Sequence, residues 1–159
     1  MQLLNLPEYE FAIREGKDAL LIFDPFRSKY VVLTPEEQVR QHFARFLVED
    51  FGYPRGLMMT EHAMTVNKMK KRCDIIVFHR NGQPLVLVEC KAPKVPVNQS
   101  VFDQVARYNV AFRVRYLMVT NGMKHYCCKV DFSTESIAFL DHIPHYSEVS
   151  AAAEENTHR

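Results

Sequence analysis

Residues 71–91, KRCDIIVFHRNGQPLVLVECK, contain the pattern on which our prediction of the fold is based. Two apolar runs, 72–79 and 84–91, flank the dipeptide Asn81-Gly82. This dipeptide is a strong signal for a β-hairpin, because both central positions of a type I′ turn need positive φ and asparagine and glycine tolerate it. The stretch therefore predicts two antiparallel strands joined by a two-residue loop.

The register that such a loop sets brings charged residues together at one end of the hairpin. It opposes Asp74 to Glu89, and it opposes Arg72 to Lys91. Alternation of side chains places all four on one face. Opposed carboxylates about 5 Å apart repel each other unless a cation lies between them. One interpretation is a divalent-metal site, since two carboxylates and a main-chain carbonyl suit Mg²⁺.

The alternative interpretation of the same residues is a solvated strand end, at which Arg72 and Lys91 neutralise the two acids. Repulsion between the two carboxylates would also affect the stability of the metal-free protein. If Asp74 and Glu89 repel each other in the metal-free protein, the substitution Asp74→Asn should leave its stability equal or higher.

Helices are predicted on both sides of the hairpin. Thr34 is an expected N-cap, Pro35 occupies the first helical position, and Glu37 stands in the capping-box position. Gly52 ends this helix near residue 51. A second helix is predicted from about residue 98 to 113, because apolar residues recur there on one face.

The remaining apolar runs predict strands over residues 9–33 (three runs), 57–66, 115–120 and 124–130. The fold class predicted is therefore α/β, with a mixed central β-sheet flanked by helices and an N-terminal β-hairpin extension. We expect a single domain over 1–146, with the extension at 1–33, the core at 34–130 and a disordered tail at 147–159.

Composition excludes several classes of protein. The 159 residues are 47% hydrophobic and 25% charged, which is typical of a globular domain. No run of about 18 apolar residues and no secretory leader is present, and the glycines form no phosphate-binding loop. The net charge of +1 permits nucleic-acid binding without requiring it. Four cysteines without paired spacing indicate reduced, buried thiols in a cytoplasmic protein.

The ordered motifs resemble a known family. Asp74 with Glu89-Cys90-Lys91 resembles the PD-(D/E)xK nuclease signature. Five further segments resemble the N-terminal nuclease-like domain of type I restriction enzyme R subunits: TPEEQVRQ (34–41), KRCDIIVF (71–78), PLVLVECKAP (84–93), Gln104-xxx-Tyr108 and VTNG (119–122). The likeness extends from about residue 9 to 130, and it implies a restriction-endonuclease-like core.

The resemblance also implies roles for individual residues. Asp74 and Glu89 would bind Mg²⁺ (or Mn²⁺), with the main-chain carbonyl of Cys90 as a third ligand. Lys91 would orient or polarise the attacking water. The family places one more glutamate on the first helix.

Glu36 is the candidate for that glutamate, because it lies in line with the apolar face of the helix. Glu37 is the alternative. Gln104 and Tyr108 match the family's QxxxY motif, and their spacing of four places both on one helix face.

Four basic residues are expected to contact nucleic-acid phosphates near this site: Lys70, Lys71, Arg72 and Lys94. A solvated turn is the alternative for the first three. The function predicted is a metal-dependent DNA nuclease, and the alternative is a non-cleaving nucleic-acid-binding or accessory subunit. Expected partners are DNA, motor or specificity subunits on separate chains and a second copy of the chain, with no membrane. R subunits continue into a helicase-like motor that this chain lacks, so we expect any motor activity from another chain.

Overall fold

The computed structural model describes residues 1–66 and 68–157. Its elements, in chain order, are β1 (Ile13–Glu15), β2 (Leu20–Asp24), β3 (Lys29–Val32), α1 (Pro35–Phe51), a short 3₁₀ helix (Arg55–Leu57), β4 (Met58–Val66), β5 (Met69–Phe78), β6 (Pro84–Cys90), α2 (Gln99–Phe112), β7 (Tyr116–Thr120), β8 (His125–Asp131), β9 (Ser136–Leu140) and α3 (Tyr146–Thr157). None of the helices in the described residues is both long and apolar enough to span a membrane.

The strands form two sheets. β1, β2 and β3 make a small antiparallel sheet, and β4 to β9 make a six-stranded sheet in sequence order. Within the large sheet β6 and β7 are parallel, because α2 connects them, and the other neighbours are antiparallel. The predicted α/β class with a mixed central sheet is confirmed.

Helices cover both faces of the large sheet. On one face, which we call the α1 side, α1 and α3 pack on a buried cluster that includes Phe43, Ile75, Val88 and Val149. On the other face, the α2 side, α2 packs on a second buried cluster that includes Leu87 and Val105. All four cysteines are buried and free, as expected.

The predicted helix ends are confirmed. Thr34 accepts a hydrogen bond from the Glu37 N–H, Pro35 begins α1, and Gly52 ends it with φ 69°. Asn98 caps α2 through its side chain. These ends follow from capping chemistry within a few residues of each terminus, which explains why the sequence alone locates them.

The hairpin turn differs from the predicted type I′ turn. The His79 N–H donates to Gln83 O at 2.8 Å, and the Gly82 N–H donates to His79 O at 2.9 Å. The loop therefore has three residues, 80–82. Gly82 has a φ of 86°, whereas Asn81 does not have a positive φ. Such loops combine a type I turn with a residue in the left-handed region, the role that glycine fills here.

The predicted register nevertheless holds along β5 and β6. A shift between Val77 and Phe78 offsets the odd loop length, so that Ile75 pairs with Val88, as a two-residue loop would have placed them. The ladder ends at this pair, directly before Asp74 and Glu89.

Two elements near the C-terminus were not predicted. β9 adds an edge strand to the sheet. The segment expected to be a disordered tail instead forms α3, in which Val149 is fully buried and Tyr146 is 8% exposed. The alanine- and glutamate-rich composition suggested an unfolded tail, but Tyr146 and Val149 are buried, Ala152 and Ala153 pack beside them, and Arg115 donates to the Ala152 carbonyl.

Candidate functional site

The ladder between β4 and β5 is interrupted at Glu61 and Asp74, and pairing resumes in the same register on both sides. Glu61 has a φ of 51°, which is uncommon for a residue other than glycine. The alternation of β5 also changes here, because Cys73 packs on the α2 side and Ile75 on the α1 side. Asp74 turns toward α1 at this irregularity.

Both carboxylate oxygens of Asp74 are engaged. The Cys90 N–H donates to Asp74 Oδ2 at 2.9 Å. Arg40 of α1 donates to Asp74 Oδ1 from Nη2 at 2.7 Å and from Nε at 3.2 Å. Asp74 is only 7% exposed, so these contacts compensate a buried charge.

Arg40 was missed by the sequence analysis, and it links four carboxylates. Besides Asp74, its guanidinium forms ion pairs with Glu61 at 2.7 Å, with Glu36 at 3.3 Å and with Glu37. Burial alone lowers the pKa of Arg40, but the hydrogen bond and the charge of Asp74 outweigh it, and the net pKa is raised. Arg40 is therefore a fully charged, buried cation.

Glu37 belongs to a buried structural network. It accepts hydrogen bonds from Arg27 at 2.6 Å and from Gln41 at 2.9 Å. Arg27 also pairs with Asp24, which is fully buried. The carboxylate of Glu37 thus joins the small sheet to α1, and the Thr34 N–H donates to Val32 O rather than to a capping-box glutamate.

The expectation that Glu36 lies in line with the apolar face of α1 is wrong, because its side chain is 48% exposed whereas Glu37 is buried. The pKa of Glu36 is raised, first by desolvation and then by the negative charge of Asp74, while Arg40 and Lys91 lower it. Of the two helix glutamates left open by the sequence, Glu36 is therefore the one whose charge interacts with Asp74 and Lys91.

Glu89 stands between two lysines. Lys91 Nζ lies 3.6 Å from its Oε1, and Lys71 Nζ lies 3.8 Å from its Oε2. The pKa of Glu89 is raised, first by desolvation and then by the charge of Asp74, although both lysines lower it. Asp74 and Glu89 are therefore electrostatically coupled.

The expected common face of Arg72, Asp74, Glu89 and Lys91 is wrong for Asp74 and for Arg72, which pairs with Glu61 on the side of the sheet opposite to Lys71 and Glu89. The chain neighbours of Glu89 pack on the α1 side and Leu87 packs on the α2 side, so alternation along β6 puts Glu89 on the α2 side. Asp74 faces α1, where it pairs with Arg40, because the alternation of β5 changes between Cys73 and Ile75. The two carboxylates approach the end of the β5–β6 ladder from the two sides of the sheet.

The metal ligands expected from the sequence are Asp74, Glu89 and the main-chain carbonyl of Cys90. Within the described residues, no group of three or more His, Cys, Asp or Glu side chains is arranged to hold a metal ion. Glu89 Oε2 is buried and accepts no hydrogen bond, and the cation that lies beside it is Lys71 Nζ at 3.8 Å. Two carboxylates with the Cys90 carbonyl fit Mg²⁺ or Mn²⁺ chemically, provided that Arg40 releases Asp74 Oδ1.

The basic residues expected to contact phosphates fall into two groups. Lys70, Arg72 and Lys94 are exposed, and Arg72 also pairs with Glu61 at 3.3 Å. Lys71 differs, because its side chain is only 10% exposed and lies against Glu89. It projects from the opposite face of β5 to Lys70 and Arg72, so an open phosphate contact does not suit it.

The QxxxY motif lies on α2. Gln104 is exposed, and none of the hydrogen bonds or ion pairs found among the described residues joins it to Asp74, Glu89 or Lys91. The side chain of Tyr108 lies outside the described residues. The expected orientation of this pair toward the β6 end stays a prediction.

Arg40 and Glu61 left different signals in the sequence. Arg40 follows Val39 on the buried side of α1 and stands four residues after Glu36, so it was recognisable as a charge within an apolar helix face. Glu61 gave no comparable signal, since its backbone conformation depends on the sheet around it.

The fold and this site together define a class: an α/β protein with a six-stranded mixed sheet covered by helices on both faces, with acidic residues and a Glu-x-Lys lysine near the end of the β5–β6 pair. Residues 35–144 match the family model described as type I restriction enzyme R protein N terminus. The match covers more than half of the chain, and the chain belongs to this family.

One solved structure with a similar fold is a fragment of an HsdR subunit of a type I restriction enzyme from Vibrio vulnificus YJ016, with a TM-score of 0.52 and 18% sequence identity. The likeness covers 77% of this chain and 26% of that chain, so the chain spans about a quarter of the solved fragment. At this identity the comparison shows the fold alone. A comparison with curated proteins finds no significant match.

Proposed function

We propose that the chain is a metal-dependent phosphodiester hydrolase that cleaves DNA through Asp74, Glu89 and Lys91. The observation that supports this most is the electrostatic coupling of Asp74 and Glu89 at the end of one ladder, with Lys91 Nζ 3.6 Å from the Glu89 carboxylate. A buried acid with a raised pKa and a specific charged neighbour is a common feature of functional sites.

Mg²⁺ or Mn²⁺ would be held by Asp74, Glu89 and the carbonyl of Cys90, and it would stabilise charge on the scissile phosphate. The chain's own residues orient the reactants. Lys91 positions the attacking water beside Glu89, and Glu36 supplies a further carboxylate from α1. Gln104 and Tyr108 are proposed to align the substrate from α2.

DNA is the proposed substrate because exposed basic residues lie near the acids. Lys70 and Arg72 on β5 and Lys94 after β6 would bind phosphates. Lys71 would instead balance the charge of Glu89. The family also suggests a place in a type I restriction system, alongside motor and specificity subunits, and the chain acts there as the nuclease-like domain, alone or as a homodimer.

A second candidate function has an observation of its own. Arg40 holds Asp74 Oδ1, where a metal ligand atom is needed, and such an arrangement also suits a domain that binds DNA without cutting it. This alternative is an accessory nucleic-acid-binding subunit with an unused acidic site.

Cleavage assays separate the two functions. Plasmid and linear DNA are incubated with the protein and Mg²⁺, Mn²⁺ or EDTA. We expect metal-dependent cleavage that falls about 10²-fold or more in Lys91→Ala, because a group that acts on the reacting atoms is lost. Lys29→Ala, an exposed lysine on β3, is the matched control and should cleave like the parent. DNA binding without cleavage under every metal condition would support the accessory function instead.

A further inference from the structure

The acidic site already contains a cation, the guanidinium of Arg40. Its Nη2 lies 2.7 Å from Asp74 Oδ1, 2.7 Å from Glu61 Oε1 and 3.3 Å from Glu36 Oε1, while Nη1 pairs with Glu37. Arg40 is 5% exposed. One buried guanidinium thus serves four carboxylates, three of which lie outside the proposed metal ligands.

We propose that Arg40 is a positioning residue that takes the place of the divalent cation at Asp74 when no metal is bound. When the metal enters, Arg40 leaves Asp74 Oδ1 and keeps its contacts with Glu61 and Glu37. The inference rests on the proposed function, since it concerns the same Asp74.

Competition for one atom is the first argument. Asp74 Oδ2 accepts from the Cys90 N–H, and Asp74 Oδ1 accepts from Arg40 alone among the contacts of the described residues. A metal ligated by Asp74 needs the oxygen that Arg40 holds. Two cations on one carboxylate oxygen also repel each other, so binding one weakens the other.

The partners that remain to Arg40 are the second argument. A buried charge that loses its only partner is strongly destabilising. Arg40 avoids this cost, because Glu37 and Glu61 are already within ion-pair distance. Only a short displacement of the guanidinium is needed, and its delocalised fork of donors suits such an exchange.

Glu61 is the carboxylate toward which Arg40 would move when it leaves Asp74. It lies opposite Asp74 in the interrupted ladder and has a φ of 51°, a strained conformation that the surrounding sheet maintains. Its second oxygen lies 3.3 Å from Arg72 Nη1. Glu61 therefore holds a fixed carboxylate beside Asp74, toward which Arg40 can withdraw.

Titration calorimetry with Mn²⁺ in the absence of DNA tests the inference. Arg40→Gln removes the competitor, and we expect Mn²⁺ to bind about tenfold more tightly than to the parent. Glu61→Gln removes the carboxylate that draws Arg40 away from Asp74, and we expect binding several-fold weaker. Arg45→Gln, an arginine that pairs with Glu49 on the outer face of α1, is the control and should bind like the parent.

The double variant Arg40→Gln/Glu61→Gln separates positioning from a general structural role. If Glu61 acts through Arg40, the double variant should bind Mn²⁺ as Arg40→Gln does. A further loss in the double variant would assign Glu61 to the metal itself and overturn the inference. If Arg40→Gln does not fold, Arg40→Met, which also lacks the charge, replaces it in the single and the double variant, and the same outcomes decide.

Failure of the inference differs from failure of the proposed function. Mn²⁺ binding to the parent with equal or weaker binding to folded Arg40→Gln rejects the role of Arg40 and retains the metal site. Absence of Mn²⁺ binding in both proteins rejects the metal site, and the inference with it.

Discussion

Asp74 and Glu89 differ in the hydrogen bonds that their carboxylates accept. Asp74 is held by Arg40 and by the Cys90 N–H. Glu89 has a buried oxygen without a hydrogen bond and a raised pKa, caused first by desolvation and then by Asp74. The ionised form is thus compensated at Asp74 and disfavoured at Glu89.

This contrast predicts that neutralising the two residues shifts the melting temperature of the metal-free protein in opposite directions. Asp74→Asn breaks a charged hydrogen bond to Arg40 and should cost about 2 kcal/mol, a fall of roughly 4–8 °C. This reverses the expectation from simple repulsion. Glu89→Gln removes the disfavoured charge and should melt at or above the parent. Thermal melts in EDTA at fixed ionic strength measure both.

The same melts with Mg²⁺ or Mn²⁺ provide the control, since both variants lose a proposed ligand. A metal ion at about 100 times its dissociation constant stabilises the parent by about 2.7 kcal/mol, and this gain should shrink in both variants. A rise in the metal-free melting point of Asp74→Asn would contradict the importance of its pair with Arg40.

At the scale of elements, the β5–β6 hairpin shows how two local irregularities can cancel. The three-residue loop moves the pairing by one position, and the shift between Val77 and Phe78 restores it. The register that places Asp74 beside the end of β6 therefore depends on the pair of irregularities.

The loop type predicts which proline substitution the hairpin tolerates. In the observed loop Arg80 occupies the second position of a type I turn, which favours proline, so Arg80→Pro should leave stability within about 0.5 kcal/mol of the parent. Asn81→Pro should destabilise by about 1 kcal/mol or more, because proline is disfavoured at the third position of that turn. Urea denaturation of both variants measures the difference.

A two-residue type I′ loop gives a different result. Arg80 would then pair with Gln83, and proline would remove a ladder hydrogen bond. Strong destabilisation by Arg80→Pro would therefore show that the turn is not the one described.

At the scale of the whole molecule, the large sheet is stabilised by helices on both faces, and α3 is part of that arrangement. Val149 is fully buried in the cluster on the α1 side, together with residues of α1 and β6. The C-terminal segment thus completes the apolar layer on the α1 side of the sheet.

Burial of α3 predicts a measurable loss of stability when its anchor is shortened. Val149→Ala should cost roughly 1–3 kcal/mol, because it removes buried methyl groups and leaves a cavity. Ala151→Ser, at an exposed position of the same helix, is the control and should change little. Chemical denaturation with a tryptophan-independent probe, such as circular dichroism, is suitable because the chain has no tryptophan. Equal stability of Val149→Ala and the parent would indicate that α3 does not pack on the sheet.

Features of this protein that depend on near neighbours in the chain are predictable from the sequence. Both long helices begin and end where Thr34, Gly52 and Asn98 predict, because capping acts within a few residues. The strands on either side of the Asn81-Gly82 turn, and their register up to Ile75 and Val88, also follow from local pattern.

The arrangement of the acidic site, in contrast, depends on contacts between segments that are distant in the chain. Arg40 and Asp74 are 34 residues apart in the chain, and Tyr53 donates to the carbonyl of Pro144 91 residues away, near the start of α3. Asp74 faces α1 at the point where the β4–β5 ladder is interrupted and the alternation of β5 changes, and regular alternation along a strand does not predict this orientation. Such features are set by packing between distant segments, where the free energy of burying a charge depends on which partner the fold brings to it.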